Sequence, residues 1–73
     1  MIPHPILAQL GDERRARHLT QATVAVHLHI CHTTLSFWET GRTQPRLEDI
    51  DRLAALYGYR LALVPVAAEG VAA

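Results

Sequence analysis

The segment between Leu19 and Gly41 restricts the fold more than any other part of the chain. Thr20 stands directly before Gln21-Ala22-Thr23-Val24-Ala25-Val26-His27-Leu28, and its hydroxyl can accept from an otherwise unpaired N–H at the start of a helix. Val24, Ala25 and Leu28 then share one helical face. The pattern breaks at His29-Ile30 and resumes over residues 32–40, where Leu35 and Trp38 take the inward positions by i, i+3 spacing. Gly41 closes that second run as a left-handed cap. The spacing therefore predicts two short helices joined by a tight turn.

The flanking sequence supplies what two short helices need to pack against. Two prolines make residues 1–5 an extended arm. Over residues 6–17, Ile6, Leu7, Leu10 and Arg14 share a face, and an arginine on an apolar stripe requires a partner. Residues 42–44 read as a loop. Pro45 suits a first helical position, and Glu48, Asp49 and Asp51 fall where they complement a helix dipole. Leu47, Ile50, Leu53, Ala54 and Tyr57 form the inward stripe of this last helix, and Gly58 ends it.

Residues 59–66 are short, aliphatic and bounded by Pro65, which predicts a strand. A lone strand has no sheet to join, so its backbone groups call for the same strand of a second copy, with Tyr59, Leu61, Leu63 and Val64 at the contact. The expected organisation is an arm at 1–5, a helical domain at 6–58, a dimerisation strand at 59–66 and a disordered tail at 67–73.

A chain of 73 residues holds one compact domain with a core only marginally large enough to stand alone. Cys31 is the single cysteine, so no intrachain disulfide forms and a cytoplasmic setting is expected. No signal peptide and no apolar run of about 20 residues is present, so no membrane association is expected. The formal net charge is zero, which withdraws the simplest argument for a nucleic-acid partner. All seven basic residues are arginine, a bias that a GC-rich coding sequence also produces. Their placement is more informative, since Arg14, Arg15, Arg17, Arg42 and Arg46 flank the central segment.

Arg14, Leu19-Thr20-Gln21, Ala25, Ile30, Thr34-Leu35-Ser36, Trp38-Glu39-x-Gly41, Pro45 and Leu53-Ala54, in that order and spacing, resemble the Cro/phage-repressor class of helix-turn-helix proteins, the xenobiotic-response-element family. The resemblance covers about residues 6–57. It implies an all-α, lambda-repressor-like bundle of four or five short helices, here with the added C-terminal strand. It also implies that double-stranded DNA is the partner and that helix 32–40 enters the major groove, about 12 Å wide, with His32, Thr33, Ser36 and Phe37 reading bases. Thr20, Gln21, Arg17, Arg42, Thr43 and Arg46 are then the phosphate contacts. A residue aligned with Arg14 pairs in the family with one aligned with Glu39, which implies a buried bidentate ion pair.

The implied role is a dimeric repressor on an inverted-repeat operator, with recognition helices about 34 Å apart. An autoregulating antitoxin with a toxin partner is the alternative. So short a chain leaves no room for an effector domain, so control would come from concentration, dimerisation or a partner. Three positions depart from the family. His29 stands where glycine is usual at the turn, Cys31 where serine or threonine commonly caps the recognition helix, and Phe37 where arginine, lysine or glutamine is frequent. The aromatic can touch a thymine methyl but cannot read a guanine.

His27, His29, Cys31 and His32 form the most tempting chemical cluster. Zinc needs about four converging ligands, whereas these residues fall on one helix, a turn and the outer side of the next, so no metal and no cofactor is expected. The histidines would instead be scattered, some of them facing phosphates, where binding would tighten at lower pH. No nucleophile arrangement, phosphate loop or enclosed pocket argues for an enzyme. The rival of another class is a protein-interaction module presenting Phe37 and the basic loop, which the zero net charge favours.

Overall fold

The computed structural model describes residues 2–67, and in it four helices follow one another: α1 (Pro5–Ala16), α2 (Gln21–Leu28), α3 (His32–Thr40) and α4 (Leu47–Leu56). At 12, 8, 9 and 10 residues, each is shorter than the roughly 12–15 residues an isolated helix needs in water, or at that limit. Packing therefore holds them. Leu10 of α1, Val24 and Leu28 of α2, Leu35 and Trp38 of α3, and Leu53, Ala54 and Tyr57 at α4 form one core. Leu19 and Ile30, from the two turns, press against it from the side.

All four helices end in the same way. The residues at the ends are His18, His29, Gly41 and Gly58, all in the left-handed region with φ between 58° and 86°. In each case the N–H of the next residue reaches back five positions: Leu19 to the carbonyl of Arg14, Ile30 to Ala25, Arg42 to Phe37 and Tyr59 to Ala54, at 2.9–3.1 Å. This Schellman closure satisfies carbonyls that a helix end leaves open, and it brings the reaching residue over the last turn. At α1 and α2 the reaching residues are Leu19 and Ile30, both apolar, so each closure also feeds the core.

Helix starts vary more. Thr20 caps α2 as its spacing predicts, with Oγ1 accepting from the Thr23 N–H at 3.1 Å. Cys31 makes no side-chain cap at α3. His4 caps α1 through Nδ1, which accepts from the Ile6 N–H at 3.1 Å, and Pro5 occupies the first helical position. The helix thus begins one residue before the expected boundary. Pro45 does not open α4. Arg46 is the N-cap residue, and Asp49 Oδ2 accepts from its backbone N–H at 3.1 Å.

Two further expectations need correction. Leu47 is 75% exposed rather than inward, because α4 starts at that residue and its first turn projects beyond the core. Residues 59–66 form no strand, and the described residues contain none. The physical reason lies in what the segment can bond. Tyr59 is held by its N–H on Ala54 and by its hydroxyl, which donates to Glu13 Oε2 at 2.7 Å. Leu61 is half-buried and lines a small cavity with Ile6, Leu10 and Ala54. From Leu63 onward the side chains stand in solvent, Leu63 fully so, with no neighbouring strand to pair with and no N–H at Pro65. Of the expected tail, only Ala67 lies within the described residues.

Candidate nucleic-acid interface

The two short helices α2 and α3 are locked to α1 by one polar cluster. Arg14 Nε donates to Glu39 Oε2 at 2.8 Å and Nη2 to Oε1 at 3.0 Å, a bidentate pair with both side chains 11% exposed. The third nitrogen, Nη1, donates to the Leu19 carbonyl at 2.8 Å. Gln21 Nε2 donates to Glu39 Oε1 at 3.0 Å. A carboxylate on α3 is thereby tied to α1 and to the first residue of α2. The Glu39 hydrogen bonds hold the Arg14 guanidinium above its ordinary pKa, so it remains charged at any working pH.

With α3 fixed from below by Leu35, Trp38 and Glu39, its other face is left outward. His32 and Thr33 are exposed there, and Ser36 and Phe37 are half-exposed. Thr40, which the sequence reading passed over, shares this face, but its hydroxyl is turned back onto the carbonyls of Ser36 and Phe37 at 3.0 and 3.3 Å. The turn before α3 has His29 at φ 58°, a conformation glycine adopts with less strain.

The residues expected at phosphates divide into two groups. Thr20 uses its hydroxyl on Thr23, and Gln21 spends one amide N–H on Glu39, keeping the other. Helical geometry leaves the backbone N–H groups of Gln21 and Ala22 without an intrahelical acceptor at the same end. Arg17 is engaged inside the fold: Nη2 donates to the Tyr57 carbonyl at 2.8 Å, Nε meets Glu13 Oε1 at 3.2 Å, and the guanidinium lies 5.3 Å from the Tyr57 ring centre. Arg52 does the same for α2, donating to the Leu28 carbonyl at 2.8 Å. Arg42, Thr43 and Arg46 stay exposed after α3. Arg46 meets Glu48 only loosely, at 3.4 Å.

A charge count could not have separated these arginines. Arg14, Arg17 and Arg52 are consumed by carbonyls and carboxylates within the fold, so the clustering around the central segment is partly structural. The available signal was position: an arginine one turn before a helix end, or facing one, serves that end.

Among the described residues no three His, Cys, Asp or Glu side chains converge as metal ligands would, and no helix is long and apolar enough to cross a membrane. The N-terminal arm runs close beneath the end of α3. A Cβ built on Gly41 would come within 2.6–2.8 Å of the backbone of Ile2 and Pro3. Gly41 is therefore required twice, for its φ of 81° and for this approach.

No curated protein and no solved structure matches the chain significantly. A family model described as a helix-turn-helix domain does match, over residues 6–66, from the first turn of α1 through the segment after α4. Domains of this kind are DNA-binding and typically non-enzymatic. The model spans most of the chain, and the locked α2–α3 pair with its outward face is what such a domain requires, so the protein belongs to the helix-turn-helix domain family, in its Cro and xenobiotic-response-element class.

Proposed function

We propose that this domain is a sequence-specific repressor that binds double-stranded DNA as a dimer, with α3 in the major groove. The observation that carries the reading is the two-sidedness of α3. Its inner face is fixed by Leu35, Trp38 and the Arg14–Glu39–Gln21 cluster, while His32, Thr33 and Ser36 face outward. A rigidly held helix with a short, polar outer face fits base-edge readout, since small hydroxyls and an imidazole can reach the groove floor. The N-terminus of α2 and the exposed Arg42, Thr43 and Arg46 supply the phosphate contacts on either side.

Dimerisation has its own support. Ile6, Leu47, Ile50, Leu61 and Leu63 border an open groove of about 830 Å³ that Arg46, Glu48 and Asp51 also line, and Leu63, Val64 and Val66 are exposed. That much apolar surface on so small a domain suits a protein partner. We assign it to a second copy, which would place two recognition helices about one turn of B-DNA, roughly 34 Å, apart on an inverted repeat. The same surface also favours a second reading, an antitoxin that uses it for a toxin while α3 represses its own operon.

Fluorescence anisotropy on duplexes from the DNA upstream of its own coding sequence, at two salt concentrations, tests the reading. Retention of one duplex over a scrambled control, with affinity falling steeply as salt rises, is expected. Binding that ignores both sequence and salt would overturn it. Sedimentation equilibrium tests the dimer, and Leu63→Glu should shift the protein to monomer.

A further inference from the structure

We infer that Phe37 acts as a positioning residue for Arg42, holding its guanidinium at the end of α3 for a phosphate, rather than as a reader of bases. The inference rests on the DNA-binding reading above. Two contacts join the two residues, and a third ties the next residue, Thr43, to the same carbonyl. The Arg42 N–H donates to the Phe37 carbonyl at 2.9 Å, the Thr43 N–H reaches the same carbonyl at 3.3 Å, and the Arg42 guanidinium lies 4.7 Å from the Phe37 ring centre.

The other helix ends show what is distinctive here. In a Schellman closure the reaching residue commonly makes an apolar contact with the last turn. Leu19 and Ile30 fill that place at α1 and α2 and face the core. At α3 the place belongs to Arg42, and the residue it reaches is an aromatic on the outward face. The backbone closure fixes where Arg42 begins, and the ring fixes where its charge ends. A guanidinium lying on a ring keeps its edge N–H groups free, so it can donate to a phosphate while stacked. An arginine free in solvent would have to be ordered at the moment of binding, which weakens the contact.

The ring is also badly placed to do both tasks. With one face under Arg42, Phe37 has less surface for a thymine methyl, and sequence readout falls to His32, Thr33 and Ser36. Phe37 therefore sets affinity on all sequences, not preference among them.

A double-mutant cycle on DNA binding decides this, using the upstream duplex and a scrambled one. Arg42→Ala should weaken binding to both and lower the salt slope by about one. Phe37→Leu should lose about 3–5-fold on both duplexes in the wild-type background, the range of an exposed cation–π contact, and under 2-fold in the Arg42→Ala background. Phe37→Trp, which restores a face for the guanidinium, should return the affinity. In the free protein, the ring-current shift of the Arg42 side-chain protons should vanish in Phe37→Leu. Equal losses in both backgrounds, or a change in preference between the two duplexes, overturn the inference while leaving DNA binding intact. No salt-dependent binding by the wild type overturns the DNA reading and this inference with it.

Discussion

Arg14 and Glu39 lie 25 positions apart in sequence and meet in a bidentate pair that joins α1 to α3, with Gln21 completing the carboxylate's partners. The pair does two things with one geometry. It neutralises an arginine on the apolar stripe of α1, and it sets the rotation of α3, hence which residues face outward. Removing only one charge leaves the other largely buried, so Glu39→Gln should lower stability by about 2–3 kcal/mol, below the figure for fully buried pairs because both side chains keep some solvent contact. Replacing both, as Arg14→Met with Glu39→Leu, should recover most of that loss. Urea denaturation of the three variants measures it, and an unaltered midpoint for Glu39→Gln would mean that the pair does not hold α3.

The start of α3 offers the opposite change. Cys31 has the extended backbone of an N-cap, φ −72° and ψ 144°, but no side-chain acceptor bond. Cys31→Ser places an oxygen where the thiol stands and should stabilise the domain by about 1 kcal/mol. His29→Gly, which relieves a φ of 58°, should add about 0.5 kcal/mol, the released strain being offset in part by the greater freedom of glycine when unfolded. Thermal melts of the single and double variants check both, and a lower midpoint for Cys31→Ser would show that the thiol is packed rather than merely uncapped.

Much of this was legible in the sequence, and what was not has a common cause. Helix α3 was read at its full extent because Leu35 and Trp38 fix its period and Gly41 its end. The Arg14–Glu39 pair was legible through the family resemblance, with the unpartnered Arg14 as the chemical prompt. What local pattern does not carry is the destination of a long side chain. Arg17, Arg42 and Arg52 look alike in sequence, yet one serves the Tyr57 carbonyl, one lies on Phe37 and one serves Leu28. The segment 59–66 has strand composition, but strand formation needs a neighbour, and composition cannot supply one. His18 escaped notice for a related reason, since its left-handed turn follows from where α1 must stop to let Leu19 reach the core.

Tyr57 gives the domain a predictable alkaline limit. Its hydroxyl is buried with no hydrogen-bond partner among the described residues, and burial, reinforced by the Glu39 charge, raises its pKa. Tyr59 is also raised, first by its hydrogen bond to Glu13, though it stands at the surface. A phenol raised in the folded state holds its proton more tightly there than in the unfolded chain. The contribution is complete below the unfolded value of about 10 and is lost as pH rises through the folded one. Stability should therefore fall above that pH. Tyr57→Phe keeps the ring beneath Arg17, removes the unpaired hydroxyl and should be neutral or stabilising at pH 7. It should also flatten most of the alkaline fall, with Tyr59→Phe removing a smaller part. Denaturation midpoints across that pH range measure it, and an unchanged slope in Tyr57→Phe would place the limit elsewhere.

Arg17 and Arg42 make the sharpest contrast between an arginine engaged within the fold and one proposed to contact a phosphate. Arg17 donates to the Tyr57 carbonyl, stacks on the Tyr57 ring and meets Glu13, so its removal leaves the Tyr57 carbonyl without that donor. Arg42 is exposed, and beyond its own backbone closure its guanidinium lies over the outward Phe37 ring. Arg17→Ala should lower stability by about 1–2 kcal/mol, the range for a charged hydrogen bond lost together with side-chain packing. At temperatures where that variant stays folded, its salt slope on DNA should match the wild type. Arg42→Ala should behave in reverse, with stability within about 0.5 kcal/mol and the salt slope reduced by about one. Paired urea titrations and anisotropy series decide the assignment. A reduced slope for folded Arg17→Ala would return that guanidinium to the phosphate side of the molecule, and an unreduced slope for Arg42→Ala would remove the loop after α3 from the interface.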